Sequence, residues 1–338
     1  MEMTMILHIR FLIRLFVKAL HIIRKRKIET KRAIGCLNTI EKRMKKKFSP
    51  DLFQKITVSY GIYEPIVVEG FCRLQNRKVS IKEKNRFVYY FICSSLFDYF
   101  IDEIRMPFDR IAMLAFRPAD TMPATFEETV FLFGHRWLKL QVNDLNGYVR
   151  CMYALYNAQK ESFLQFDEHT STSTILDITF RKGGYAVQLG SYYLDGMIPE
   201  IERMIWYQLG VLIQLINDLY DVWKDAPQHI VSSVLAIRDM YAFKDLFNKE
   251  IEKLWRLIQQ HPAHDAAKRD FLLHIAGTLS FGYIAIDQLL KLQGKQAHLP
   301  AYDPAHRKDW IIDMEKIKNL KSWLKKTQML YEQGLKNI

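Results

Sequence analysis

Glycine and proline are scarce in this chain, which has 14 and 10 of them among 338 residues. Because these residues interrupt helices and form tight turns, their scarcity excludes a fold made of many short strands joined by hairpins. The alternating apolar pattern of half-buried strands does not recur along the chain either. The sequence therefore predicts long helices and an all-α fold.

Cysteine is equally rare, and the four cysteines follow neither CxxC nor Cys/His spacing. That pattern excludes a disulfide framework and a zinc site. The apolar stretch 5–23 is interrupted by Arg10, Arg14 and Lys18, and no small-residue cleavage site follows it. It is therefore a poor transmembrane helix and a poor signal peptide, and we expect a cytoplasmic protein.

Positive charge is concentrated at the N-terminus. Residues 1–50 contain 14 Lys and Arg against 3 Glu, and thus carry +11 of the net charge of +12. On a helical wheel Arg10, Arg14, Lys18 and His21 fall on one narrow stripe, and the remaining positions are mostly apolar. We predict a basic amphipathic arm over residues 1–48.

Two interpretations of this arm stay open. It lies at the anionic inner surface of a membrane, as a peripheral contact, or it packs its apolar side on the protein and leaves its charges in water. The segment has no basic motif with interleaved aromatic residues, so nucleic acid is not an expected partner. Residues 49–338 are predicted to form a single domain.

The most informative stretch is the apolar helix predicted over residues 200–225. Asn217, Asp221 and Asp225 fall at positions i, i+4 and i+8 and so line one stripe, which Gly210 and Gln214 continue toward the N-terminus. Oxygen ligands at this spacing suit a hard cation such as Mg²⁺ shared with a phosphate. The alternative is a solvated acidic face near the end of a helix.

A second acidic pair lies within an aromatic run. Asp98 and Asp102 are at i and i+4 of a helix predicted over residues 80–104, with Phe91 and Ser95 before them near the same face. Solvated acids at this spacing are common, but here they sit among aromatic residues. If the two acidic stripes face each other, they form a metal site at the mouth of an apolar cavity, suited to a diphosphate with a hydrocarbon tail.

A pair of cations, Arg181 and Lys182, precedes Gly183-Gly184 in a predicted helix over residues 172–195. Paired glycines mark either a break in a helix or a close approach of its backbone to a neighbour. We predict a break here, where the two cations either bind an anion or remain surface charges.

These motifs resemble those of the class I isoprenoid (terpene) synthases, nearest to the squalene/phytoene synthase-like and bacterial terpene synthase branches. Phe97-Asp98-Tyr99-Phe100-Ile101-Asp102-Glu103 resembles the first Asp-rich motif, DxxxD. The stretch from Leu209-Gly210 to Asp225 is similar to LGxxxQLxNxxxDVxxD, and Arg181-Lys182-Gly183-Gly184 is similar to the diphosphate-sensing segment. The resemblance covers roughly residues 85–230.

The resemblance implies an isoprenoid synthase fold, a single large helical bundle around a central cavity. It implies Mg²⁺, as three ions bound with the substrate diphosphate. The implied metal ligands and catalytic residues are Asp98, Asp102, Asn217, Asp221 and Asp225; the implied diphosphate ligands are Arg181, Lys182 and Lys224; the implied pocket residues are Phe91, Ser95, Tyr207, Gly210 and Gln214.

The activity implied is that of a terpene synthase, a lyase that ionises an allylic prenyl diphosphate and then eliminates or cyclises. Two alternatives stay open: a squalene/phytoene synthase-like prenyltransferase that couples two prenyl diphosphates, and a non-catalytic helical partner subunit that binds isoprenoids. The sequence leaves a homodimer open as well.

Overall fold

The computed structural model describes residues 2–336, with side chains from Ile9 onward. These residues form α-helices and short 3₁₀ and π turns, and they contain no strand. The all-α class is thus confirmed, while the isoprenoid synthase fold and its central cavity remain predictions. Within the same residues, no helix combines the length with the apolar character needed to cross a membrane.

Fourteen α-helices follow one another along the described chain. They are α1 (Glu2–Met44), α2 (Pro50–Tyr63), α3 (Glu69–Leu74), α4 (Ile81–Asp98), α5 (Phe108–Phe116), α6 (Phe126–Lys139), α7 (Leu145–Glu161), α8 (Thr172–Leu189), α9 (Glu200–Asp225), α10 (Ser233–Ile237), α11 (Met240–Gln260), α12 (Asp265–Gln293), α13 (Arg307–Trp310) and α14 (Ile317–Leu335). The π turns are Glu64–Val68 and Tyr99–Glu103, and the 3₁₀ turns are Ser162–Phe166, Gly190–Tyr193, Ala226–Gln228 and Pro304–His306.

The chain divides into two compact units. The first contains the described residues as far as Leu145, together with Tyr192–Met197. The second contains Asn146–Ser191 and the described residues from Ile198 onward. The division therefore falls well after residue 48, the boundary predicted between arm and domain.

In the first unit, α1 packs along α2, α2 packs on α4, and α4 packs on α6. The C-terminal half of α1 belongs to the core of this unit, since Ala33, Leu37 and Ile40 are buried. Helix α4 begins at a capping box, in which the Ser80 side chain accepts from the Glu83 backbone while Glu83 accepts from the Ser80 backbone.

In the second unit, α9 is the central helix and packs against α8, α11 and α12, while α14 packs on α12. The buried face of α9 follows the apolar spacing of its sequence, with Leu212, Leu215, Leu219 and Val222 fully shielded. The predicted helix 200–225 coincides with α9 and is confirmed.

Candidate functional site

At the end of α9, the predicted stripe of Asn217, Asp221 and Asp225 has a buried acidic neighbour, Asp218, that the prediction did not include. Asp218 is buried, whereas its neighbour Asn217 is exposed. Asp221 and Asp225 are partly exposed. Asp218 lies four residues after Gln214 and three before Asp221, so it shares their face of the helix. The face that turns inward is therefore that of Gln214 and Asp218.

Asp218 is held by three hydrogen bonds within the second unit. Its Oδ1 accepts from Gln214 Nε2 at 2.8 Å. Its Oδ2 accepts from the backbone N–H of Ser233 at 3.1 Å and from Ser233 Oγ–H at 2.6 Å. Burial raises the pKa of this carboxyl above its usual range, while the bonds from Ser233 and Gln214 oppose the rise. Asp218 thus fixes the start of α10 against α9.

The last turn of α9 gathers negative charge. Burial, together with the nearby carboxylates of Asp218 and Asp221, raises the pKa of Asp225 to about 7. A hydrogen bond from Ser232 and the charge of Lys224 oppose that rise. Lys224 also pairs with Asp221, at 2.6 Å between Nζ and Oδ1. Three carboxylates therefore interact in this turn, with one neighbouring cation on the same helix.

The paired glycines of α8 allow a close helix contact and do not break the helix. Helix α8 runs without interruption through Gly183 and Gly184, so the predicted break is wrong. A Cβ atom on Gly183 would lie 2.6 Å from the carbonyl oxygen of Gly210, and one on Gly210 would lie 2.8 Å from Val187 Cβ. The charge of Lys182, the residue before Gly183, is the smallest of the causes that oppose the rise in the pKa of Asp218.

The two cations of α8 have different surroundings. The Arg181 guanidinium pairs with Glu161 and, at 2.6 Å, with Asp177. These partners raise the pKa of Arg181, with the Glu161 hydrogen bond as the largest cause. Lys182 is partly exposed, and its charge is the smallest of the causes that act on the pKa of Asp218. Of the two predicted diphosphate ligands on α8, Lys182 is thus the one whose charge acts on an acid of α9.

Three predicted pocket residues lie at the contact between α8 and α9. Gly210 and the Gln214 side chain pack against Gly183. The Tyr207 ring meets the Tyr185 ring edge-on, with centroids 5.0 Å apart, and lies over Gly184. These three residues stabilise the crossing of the two helices, and their assignment to a substrate pocket remains a prediction.

The first acidic motif lies in the first unit, at the junction of α4 and a π turn. Asp98 is the last residue of α4, and Asp102 lies in the turn Tyr99–Glu103. The predicted helix 80–104 therefore changes its hydrogen-bonding pattern at the motif itself. Single π turns within α-helices occur frequently at functional sites. Asp102 is exposed, and Asp98 Oδ2 lies 3.4 Å from Lys55 Nζ of α2.

The two residues predicted to precede this motif on the same face are shielded from water. Phe91 packs on Tyr63 and Tyr60, with ring centroids 5.6 Å and 6.1 Å apart. Ser95 is 3% exposed and lies one turn before Asp98. The motif thus combines an accessible acidic end with an aromatic interior.

The oxygen ligands of each motif suit one mode of magnesium binding, in which the substrate supplies part of the coordination. Among residues 2–336, no group of three or more His, Cys, Asp or Glu side chains is arranged to hold a metal ion. Magnesium, however, keeps several waters and is usually held by one or two carboxylates together with substrate phosphates. The accessible oxygens of Asn217, Asp221 and Asp102 have the right chemistry for that mode of binding.

Two sets of charged residues escaped the sequence analysis. Asp218 was overlooked although its spacing to Gln214 and Asp225 contained the signal. The other set is buried in the first unit, where Lys84 contacts Glu29 and Glu64. Spacing along one helix contains no signal for the second set, because its members come from α1, α4 and the π turn Glu64–Val68.

Two cavities lie away from the predicted site residues. One, of about 590 Å³, lies between α11, α12 and α14 and is lined by Lys244, Trp255 and Tyr283 among others. The other, of about 550 Å³, lies between α1, α4 and α6, where Cys36 and Tyr89 contribute to its wall. Neither corresponds to the cavity predicted above the acidic stripes.

Comparisons of this chain with protein-family models, with curated proteins and with solved structures find no match. The site is therefore interpreted from its own residues.

Proposed function

We propose that this protein is a class I terpene synthase, which ionises an allylic prenyl diphosphate with Mg²⁺ and then eliminates or cyclises with release of diphosphate. The proposal rests on the end of α9, where oxygen ligands at helical spacing lie beside a cation. Asn217 and Asp221 are accessible, and the charge of Lys182 on α8 acts on Asp218 in the same part of α9.

The roles follow from the chemistry of the side chains. In each motif the acidic and amide side chains would hold magnesium together with diphosphate oxygens: Asp98 and Asp102 in the first motif, and Asn217, Asp221 and Asp225 in the second. Mg²⁺ bound there would offset the negative charge of the departing diphosphate. Lys182 and Lys224 would bind diphosphate oxygens, and Lys224 can do so by exchanging its exposed pair with Asp221.

Arg181 is less suited than Lys182 to bind the diphosphate. Its guanidinium already pairs with Glu161 and Asp177, and a diphosphate would have to replace both partners. We therefore expect Arg181 to fix the α8 helix beside α7, while Lys182 contacts the substrate.

Incubation with geranyl, farnesyl and geranylgeranyl diphosphate tests the proposal. We expect release of diphosphate that requires Mg²⁺ and is abolished by a chelator, with hydrocarbon or alcohol products seen by mass spectrometry. Products with a doubled carbon count would identify the coupling alternative. Failure to release diphosphate from all three substrates and from longer homologues would contradict the proposal.

One observation favours a second candidate, the non-catalytic isoprenoid-binding partner subunit. The ion pairs of Arg181 and Lys224 show cations of the site neutralised by the chain's own acids. Isothermal titration with farnesyl diphosphate separates the two functions. Binding of the intact diphosphate without any turnover, in the presence of Mg²⁺, would support the partner subunit.

A further inference from the structure

The N-terminal half of α1 exposes an apolar surface. Seven large apolar side chains between residues 9 and 28 are exposed, and at 100° per residue they fall within a sector of about 140°. They are Ile9, Ile13, Phe16, Val17, Leu20, Ile23 and Ile28. We call this surface the exposed apolar stripe. Single exposed apolar residues are ordinary, but a continuous stripe of this length marks an interaction site.

This stripe is not the side of α1 that packs within the first unit. Phe11, Leu15, Glu29 and Ala33 are buried, and they point to the other side of the helix. Helix α1 therefore has two apolar faces, of which only one is covered. Packing on the protein accounts for the first face and leaves the second without a role.

Cations accompany the exposed apolar stripe along its whole length. Arg10 and Arg14 lie along one edge of the stripe, whereas Arg24, Lys27 and Lys31 lie within the same sector at its C-terminal end. All five are exposed. An apolar stripe bordered by Lys and Arg is the pattern of helices that lie in the plane of a membrane interface.

We propose that the N-terminal half of α1 docks the protein on the surface of a bilayer rich in anionic phospholipid, with the exposed apolar stripe facing the acyl chains. The proposal goes beyond the enzymatic function and rests on the first unit alone. The helix lies on the bilayer and does not cross it, since no helix among residues 2–336 is both long and apolar enough to span a membrane.

Charge decides between a bilayer and a second copy of this chain as the occupant. Residues 1–50 contain 14 Lys and Arg against 3 Glu. Pairing two copies through the stripe would bring two such segments together, and the like charges would oppose association. Anionic lipid head groups attract the same segment, by roughly fivefold in affinity for each cation at the surface.

Co-sedimentation of the full chain with vesicles tests the proposal. We expect binding to vesicles of phosphatidylcholine mixed with phosphatidylglycerol, loss of binding at high salt, and little binding to phosphatidylcholine alone. Ile23→Asp should weaken binding on the order of tenfold, because an apolar side chain no longer enters the bilayer. Arg24→Gln should weaken it roughly fivefold.

The chain provides a matched control. Ile23 and Leu320 are equally exposed, at 53% each, and Leu320 lies on α14 of the second unit. Leu320→Asp should therefore leave vesicle binding unchanged, and both variants should keep the thermal unfolding midpoint of the parent. Equal binding of parent and Ile23→Asp would overturn the proposal. So would equal binding to neutral and anionic vesicles, or a dimer that Ile23→Asp dissociates in a protein that binds no vesicles.

Discussion

The ammonium group of Lys84 lies 3.3 Å from the Oε1 atom of Glu64, and both side chains are shielded from water. The same ammonium group is hydrogen-bonded to Glu29, which also accepts from Tyr60 Oη at 2.7 Å. One cation is thus shared between two buried carboxylates. These residues connect α1, α2, α4 and the π turn Glu64–Val68, so their charge balance holds the first unit together.

Lys84→Met should destabilise the protein by about 3–5 kcal/mol, because it leaves buried carboxylates without their cation. Urea unfolding followed by circular dichroism measures the change. Lys316→Met is the matched control, since Lys316 forms an exposed pair with Asp313 at 3.9 Å and should change stability by less than about 1 kcal/mol. Equal effects of the two substitutions would show that the buried pair has no special weight.

Glu64 should make the protein less stable as pH rises toward neutrality. Burial and the nearby charge of Glu29 raise the pKa of Glu64 from 4.5 to about 7. Between these values the folded chain holds a proton that the unfolded chain has released, so the free energy of unfolding falls with rising pH. The fall due to this group amounts to about 3 kcal/mol.

Glu64→Gln should remove that fall, because the amide does not titrate. Urea unfolding of both proteins between about pH 5 and pH 8 gives the comparison. The pKa of Glu29 is lowered, so Glu29 changes its charge below this interval and does not obscure the difference. Parallel stability curves for the two proteins would contradict the assignment.

Gly210→Ala should destabilise the second unit by about 1–3 kcal/mol, because the new methyl group would press on the backbone of Gly183 and separate α8 from α9. Gly35→Ala is its control within a helix, since a Cβ there meets nothing within 4 Å. That substitution should stabilise α1 by about 0.5–1 kcal/mol. Opposite signs in thermal unfolding are expected, and a neutral Gly210→Ala would argue against a tight helix contact.

Asp221→Asn should lower the rate of diphosphate release on the order of 100- to 1000-fold if the carboxylate holds magnesium against the substrate. Asp265→Asn is the control, because Asp265 also forms an exposed ion pair on a helix, with Arg269 at 3.5 Å. The control should retain full activity, and both proteins should unfold at nearly the same urea concentration. Unchanged turnover in Asp221→Asn would remove this residue from the site.

The helices were predictable where the apolar periodicity ends at a Pro or Gly residue that terminates the helix. Helix α9 follows from its apolar spacing and from the Pro residues that flank it, and α12 follows from Pro262 before it and Gly294 after it. Before α14, by contrast, Arg307–Trp310 forms a short separate helix, and α14 itself begins only at Ile317. A charged, weakly periodic segment does not determine where one helix ends and the next begins.

The site was predictable in composition but not in orientation. Asn217 and Asp218 are neighbours in the sequence, yet Asn217 is exposed and Asp218 is buried. The contact of Asp218 with Ser233, at the start of α10, determines which of the two faces inward. Arg181 likewise finds Glu161 on another helix, a pairing that spacing within α8 does not reveal. Contacts between distant segments decide these outcomes, and helical periodicity contains no information about them.

Helix α1 is continuous between Phe16 and Glu29, which lie about 20 Å apart along its axis. The hydrogen bonds of the buried Glu29 side chain with Lys84 and Tyr60 therefore fix the rotation of α1 about its own axis, also at positions several turns away. If the neighbour of Glu29 took its buried place, α1 would be rotated by about 100°, and Phe16 would face a different direction. The buried ionic contacts of Glu29 in the first unit thus determine the direction in which the apolar residues around Phe16 face the solvent.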